Sequence, residues 1–329
     1  MVDRAGAGSH PGAAAGSGRG LAGARAPARP RHRCRPAPGA RRGDHRRRAA
    51  QPAAGDRPLD RESVRTVNAT SGTPGAPALP DRWRRLAQLP TGHRTQVWIA
   101  EDHQLGERVV LKLFPPCADA MVRARALTEV RLGLLLHHPH LVQLYEVLEW
   151  EQHLIAVMEL VVGGDLARRV ALQGAQAVPM VVEWTGEALS VLAFLHEQQL
   201  IHRDVTPSNL LLDHHERVKL GDLGLVGRLD RLDDPVGGTS GVGTPGYMAP
   251  EHAAGGDPTP AWDLYGLGVT IREVLTGVRS FADRAPAKVP ESCPRWLRQF
   301  LERLLARDPR DRWPTAVEAL AVFEAQRTA

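Results

Sequence analysis

The sequence predicts an α+β protein in two unequal halves, a small one of five strands and one helix and a larger, mainly helical one. Three observations carry this expectation. Short apolar runs parted by polar turns recur between residues 86 and 158, with a single helical stretch among them. After Gly163-Gly164 the pattern turns helix-rich. A dense polar octet, His202-Arg203-Asp204-Val205-Thr206-Pro207-Ser208-Asn209, then lies between two short strand-like runs, with Gly221-Asp222-Leu223-Gly224 beyond it.

Taken in order, Leu86–Leu89, Gln96–Ala100 and Arg108–Phe114 read as strands, separated by turns holding Gly92 and Gly106. Ala118–Leu136 reads as a helix. His137-His138-Pro139 ends it, because a proline ring disfavours helical backbone in the residue before it. Leu141–Leu148 and Leu154–Met158 complete the five strands, and Glu159–Val162 links the halves. Val181, Ala188, Leu192 and Leu195 then share one face of a helix that ends just before the octet. Ala261–Leu275 is apolar nearly all round, as a buried helix is. Trp296–Leu305 and Thr315–Phe323 are amphipathic helices, the second opened by Pro314. Two halves on one short link imply a cleft between them, where ligands commonly sit.

The formal charge of +5 averages two unlike parts. Residues 1–80 hold 15 Arg against 5 acids, whereas residues 81–329 hold 27 basic and 32 acidic groups. The first part is Ala, Gly, Pro and Arg with almost no large apolar side chain. It buries too little to offset its chain entropy and is expected to be disordered. Its arginines from Arg25 to Arg48 could meet the phosphates of nucleic acid or anionic lipid, but no aromatic residues interleave them to stack bases. A solvated linker is the plainer reading. Cys34, Cys117 and Cys293 are odd in number and far apart, so neither a disulfide framework nor a zinc site is expected, and a reducing, cytoplasmic setting is. The longest candidate apolar run, Leu154–Val162, is short and contains Glu159, so no membrane span is expected.

The octet reads H-R-D-x-x-x-x-N, and the residues after Gly221 read D-x-G. The spacing suits phosphoryl transfer. A loop between strands aims one carboxylate, Asp204, at an acceptor hydroxyl and turns an amide oxygen, Asn209, toward a metal ion. The next hairpin delivers a second metal-binding carboxylate, Asp222. With these motifs come Val109-Val110-Leu111-Lys112, Gly243-Thr244-Pro245-Gly246-Tyr247, Ala249-Pro250-Glu251 and Asp308-Pro309-Arg310-Asp311-Arg312. In this order they make residues 81–329 resemble a eukaryotic-type serine/threonine protein kinase domain of the kind also found in bacteria.

The resemblance implies a bilobal fold, with a five-stranded antiparallel sheet and one helix over 81–161 and a larger helical lobe over 162–329. It implies ATP and Mg2+ as cofactors and a protein Ser/Thr hydroxyl as acceptor. Lys112, one of only three lysines beside 39 arginines, would hold the α- and β-phosphates, and Glu129 would pair with it. Asp204 would take the hydroxyl proton, and Asn209 and Asp222 would hold magnesium. Gly92 would cover the phosphates. Val97, Val110, Met158 and Leu211 would enclose the adenine, with backbone groups of Glu159 and Val161 along its edge. Asp165 would contact the ribose, or simply cap the helix it begins. Glu251 would pair with Arg312, Asp263 would brace the catalytic loop, and Thr244 would hydrogen-bond toward Asp204. Arg203 would be ordered by an anion, from phosphorylated Thr239 or Ser240 or from Asp230, Asp233 or Asp234.

The sequence also departs from the pattern. Pro90, Gly92 and Thr95 stand where the phosphate-covering loop has three glycines, Thr206 replaces a lysine beside the catalytic aspartate, and residues 277–296 are short and rich in Pro and Ala. A binding module without turnover is therefore the alternative. Retention of Lys112, Glu129, Asp204, Asn209 and Asp222 favours the enzyme.

Overall fold

The structure, a computed structural model, describes residues 79–90, 95–114, 116, 127, 130, 133–151, 153–223, 227–228, 243–279 and 287–329. The expectations for residues 1–78, and those for Gly92, Cys117, Glu129, Thr239 and Ser240, lie outside these residues.

The small half is a sheet of β1 (Trp83–Leu89), β2 (Gln96–Asp102), β3 (Glu107–Phe114), β4 (Leu144–Trp150) and β5 (His153–Glu159), in the order β1-β2-β3-β5-β4. Every neighbouring pair is antiparallel. Between β3 and β4, Leu127, Val130 and residues 133–135 are helical. The strand period of two sorts β3 cleanly. Val109, Leu111 and Leu113 join Trp83, Trp98, Ile155 and Val157 in one core, which leaves Val110 and Lys112 on the opposite face.

The strands run one or two residues past several expected limits, and two of them start three residues away from the expected position, each for a physical reason. The first strand starts at Trp83 rather than Leu86, because the Trp83 ring is buried and its indole N–H donates to Asp102 Oδ2 at 2.9 Å. The fourth starts at Leu144 rather than Leu141, because Leu141 bridges instead to Leu220 in the larger half.

That half begins with α1 (Leu166–Gln173) and α2 (Val178–Glu197). Short strands follow: β6 (Leu200–Ile201), β7 (Leu210–Leu212), β8 (Val218–Leu220) and β9 (Gly227–Arg228), with β6 paired to β9 and β7 to β8. Then come α3 (Pro250–Ala253), α4 (Pro260–Thr276), α5 (Arg295–Leu304) and α6 (Ala316–Arg327). Proline in the first turn of α4 and Gly277 beyond its end, at φ +69°, fix its limits. Thr315, not Pro314, opens α6, its hydroxyl accepting from the Glu318 N–H.

By length and composition α2 is long and apolar enough to cross a membrane, although Glu183, Glu187 and His196 break its sequence into shorter apolar runs. Its apolar side chains face protein instead. Val181, Trp184, Leu189, Leu192 and Leu195 are buried against Leu264 and Ile271 of α4, with Phe300 and Phe323 in the same core.

Candidate active site

A cavity of about 770 Å³ opens between the two halves, within the size range of small-molecule sites. Val97 and Val110 form its roof, Leu211 and Leu220 its floor, and Met158 and Leu144 its back. Glu159, Leu160 and Val161 make the wall where the chain passes between halves. The Glu159 carboxylate turns away from the cavity. It meets Lys219 Nζ at 2.9 Å and accepts from the Gln143 N–H. The Val161 N–H, on the cavity wall, has no acceptor among the described residues. Asp165 both lines the cavity and caps α1, accepting from the Arg168 N–H at 2.7 Å, so its two sequence readings coexist.

At the inner end Lys112, aimed inward by the β3 pleat, donates to Asp222 Oδ1 at 3.0 Å. Asp222 follows β8 in the left-handed region at φ +57°. An aspartate tolerates that region better than a branched residue, and such strained conformations gather at functional sites. Here it swings the carboxylate back under the sheet.

Asp204, Thr206 and Asn209 lie on the loop between β6 and β7. Asn209 Nδ2 donates to Asp204 Oδ2 at 3.0 Å and to the Asp204 carbonyl at 2.8 Å, while its own N–H reaches the Thr206 carbonyl. The other Asp204 oxygen accepts the backbone N–H of Thr244 at 2.9 Å, so that contact is made by the main chain, not the hydroxyl. The Thr206 side chain is buried.

The loop is braced from below. Asp263, in the first turn of α4 and 1% exposed, accepts the N–H of His202 at 2.8 Å and of Arg203 at 2.7 Å. Burial alone would raise its pKa, but the His196 contact and the backbone amides outweigh it and hold the carboxyl below its ordinary value. The His196 Nδ1 accepts from the Ala316 N–H, so Nε2 carries the proton given to Asp263. Arg203, buried and at φ +70°, is locked immediately before Asp204. Farther out, Arg312 clasps Glu251 through two contacts of 2.6 and 3.0 Å, as the two motifs implied.

Lys112 and Asp222 thus line the cavity, and the Asp204–Asn209 pair is tied to its rim, the Asn209 carbonyl accepting the N–H of Gly221, the residue before Asp222, at 2.8 Å. Among the described residues no three His, Cys, Asp or Glu gather as a metal cluster. A magnesium ion held by one amide oxygen, one carboxylate and phosphate oxygens needs no such cluster, so the donor set fits. Sequence reasoning missed Arg108 and Arg168, which also line the cavity, and the Lys219–Glu159 pair. The scarcity of lysine was the one available signal for the latter.

This bilobal α+β fold with its central crevice has its counterpart among known proteins. The family described as protein kinase domain matches residues 83–322, and the chain belongs to that family. Serine/threonine-protein kinase PknA of Mycobacterium tuberculosis is 32% identical over 277 residues, covering 76% of this chain and 63% of that protein. CBL-interacting protein kinase 4 of Oryza sativa subsp. japonica is 32% identical over 254 residues (71% and 55%). Serine/threonine-protein kinase PrkC of Bacillus subtilis is 29% identical over 268 residues (75% and 41%). The matched segment therefore spans less than two thirds of each of these relatives.

Proposed function

We propose that the chain is a serine/threonine protein kinase that transfers the γ-phosphoryl group of Mg-ATP to a protein hydroxyl. The observation that carries this reading is the 3.0 Å approach of Lys112 to Asp222 inside the cavity, beside an Asp204 whose two oxygens are oriented by Thr244 and Asn209. In this reading Asp204 positions the acceptor hydroxyl and takes its proton as the new P–O bond forms. Lys112 holds the non-transferred phosphates, and Glu129 steadies it. Magnesium, held by Asn209, Asp222 and phosphate oxygens, would neutralise charge on the transferred group. Val97, Val110, Met158 and Leu211 enclose the base, and Gly92 covers the phosphates. The orphan N–H of Val161 is a ready donor to the base edge. In this reading an anion on the segment before Thr244, from Thr239 or Ser240 once phosphorylated, orders Arg203. A cytoplasmic setting accords with the free, buried Cys293.

The test is incubation of the full chain with labelled Mg-ATP and a generic protein substrate, beside Asp204→Asn. The expected loss is about 10²- to 10⁴-fold in rate with nucleotide binding retained. Equal incorporation by both proteins, or none by either, would overturn the reading. Mass spectrometry of residues 230–244 after the same incubation should find phosphate on Thr239 or Ser240. An active enzyme without it would exclude the phospho-switch.

A further inference from the structure

The charges beside the catalytic loop have a sign that bears on which acceptor segment fits. The Ala167 N–H donates to the Pro207 carbonyl at 3.2 Å, which fastens the first turn of α1 against the loop. The next residue on each side of that contact, Arg168 and Ser208, is exposed, and both line the same cavity as Lys112 and Asp222. The Arg168 stem lies along the chain at Gly164, where an added Cβ would meet its Cδ at 3.7 Å. Among the described residues its guanidinium has no hydrogen-bond or ion-pair partner. Its neighbour Arg169, by contrast, is paired with Glu216. An exposed guanidinium without a partner at the mouth of the cavity is a receptor for a carboxylate, because the planar fork matches two oxygens at once.

Two acids near this mouth already have partners of their own. Asp165 Oδ1 is taken by the Arg168 N–H. Glu273 sits one turn beyond Thr270, whose hydroxyl donates to the Val205 carbonyl at 3.1 Å, so it too is close to the loop. It is only 3% exposed, and the Tyr247 hydroxyl donates to it at 2.6 Å. Burial first, and then that bond, push the Tyr247 pKa well above its ordinary value, so the proton stays in place. Arg279 stands beside the same hydroxyl and adds positive charge there.

We propose that Arg168 is a specificity-determining residue that binds an Asp or Glu side chain lying close in sequence to the phospho-acceptor. This rests on the kinase reading above and deepens it from a protein hydroxyl to a hydroxyl in an acidic context. The contact lies away from the reacting atoms, so it strengthens substrate and transition state alike and appears in KM rather than kcat.

Three serine peptides test it with the full chain and Mg-ATP, identical except for Glu, Gln or Arg flanking the serine. The Glu peptide should exceed the Gln peptide about tenfold in kcat/KM through a lower KM, and the Arg peptide should be poorest. The Glu-to-Gln ratio should fall toward one in Arg168→Gln and invert in Arg168→Glu. It should also shrink as salt rises. Anisotropy of the same labelled peptides, with a non-hydrolysable ATP analogue and Mg2+, reads the preference without turnover. Transfer to all three peptides at equal KM, or a ratio unchanged in Arg168→Gln, overturns the assignment and leaves the kinase reading standing. Charge-selective binding without transfer keeps Arg168 and overturns the kinase reading, and the absence of both overturns both.

Discussion

Arg312 shows what one residue contributes to this fold. Its side chain is fully buried, and every nitrogen is engaged. Nε donates to the Ala306 carbonyl, Nη1 to Glu251 and the Ala261 carbonyl, and Nη2 to Glu251 and the Arg307 carbonyl. Removing it would strand a partly buried carboxylate and three carbonyls together. Arg312→Ala should therefore lose about 3–5 kcal/mol of stability, read from urea unfolding, and Arg312→Lys should recover little because an ammonium cannot fork. A mutant that unfolds like the parent would show that the clasp contributes nothing. The pair was legible in the sequence because each partner sits in its own short motif. The same holds for Asp263. His196, Glu273 and Lys219 were not legible, since nothing local tells which distant group will meet a buried polar side chain.

At the scale of an element, the β1–β2 edge depends on Asp102. This carboxylate ends β2 with no side-chain exposure. It accepts from Arg82 Nε and the Trp83 indole, each at 2.9 Å, and from the N–H groups of Gln104 and Leu105 in the turn to β3. Burial pushes its pKa up, but the bonds from Arg82, the turn amides and Trp83 outweigh that and bring it down to about 2. The folded value lies below the unfolded one. The resulting stability is thus fully present above about pH 4 and is lost as the pH falls from there toward 2. Integrated over that interval it amounts to about 2 kcal/mol. Unfolding midpoints between pH 2 and 6 should slope more steeply in the parent than in Asp102→Asn, which keeps the shape without the titration; parallel slopes would remove Asp102 as the cause. Sequence alone could not single this residue out. Its neighbour Glu101 has the same charge, yet pairs with Arg84 at the surface. Strand identity was legible from alternation, whereas strand ends were set by such contacts.

Across the whole molecule, the cleft was legible because a change of periodicity at Gly163-Gly164 marks where one architecture gives way to the other. What the sequence did not disclose is how that junction is held. The Gly163 N–H donates to the Leu212 carbonyl at 2.8 Å, and the Leu212 N–H donates back to the Gly164 carbonyl at 2.7 Å. The link is thus stitched onto β7, whose Leu211 is the cavity floor. A Cβ added at Gly163 would fall 2.5 Å from the Leu212 carbonyl oxygen, a backbone atom that no rotamer change can move aside. Gly163→Ala must therefore shift the link against β7, at about 1–3 kcal/mol, and it shifts the cavity wall at Glu159–Val161 along with it. Nucleotide affinity should fall severalfold together with the melting temperature. Gly106→Ala is the control. Its left-handed φ of +71° makes it cost about 1 kcal/mol, but the space around it is open and the turn lies between β2 and β3. It should lower stability and leave nucleotide affinity untouched. Titration of a fluorescent ATP analogue against both variants separates the cases, and equal affinities would mean that the junction does not set the geometry of the crevice.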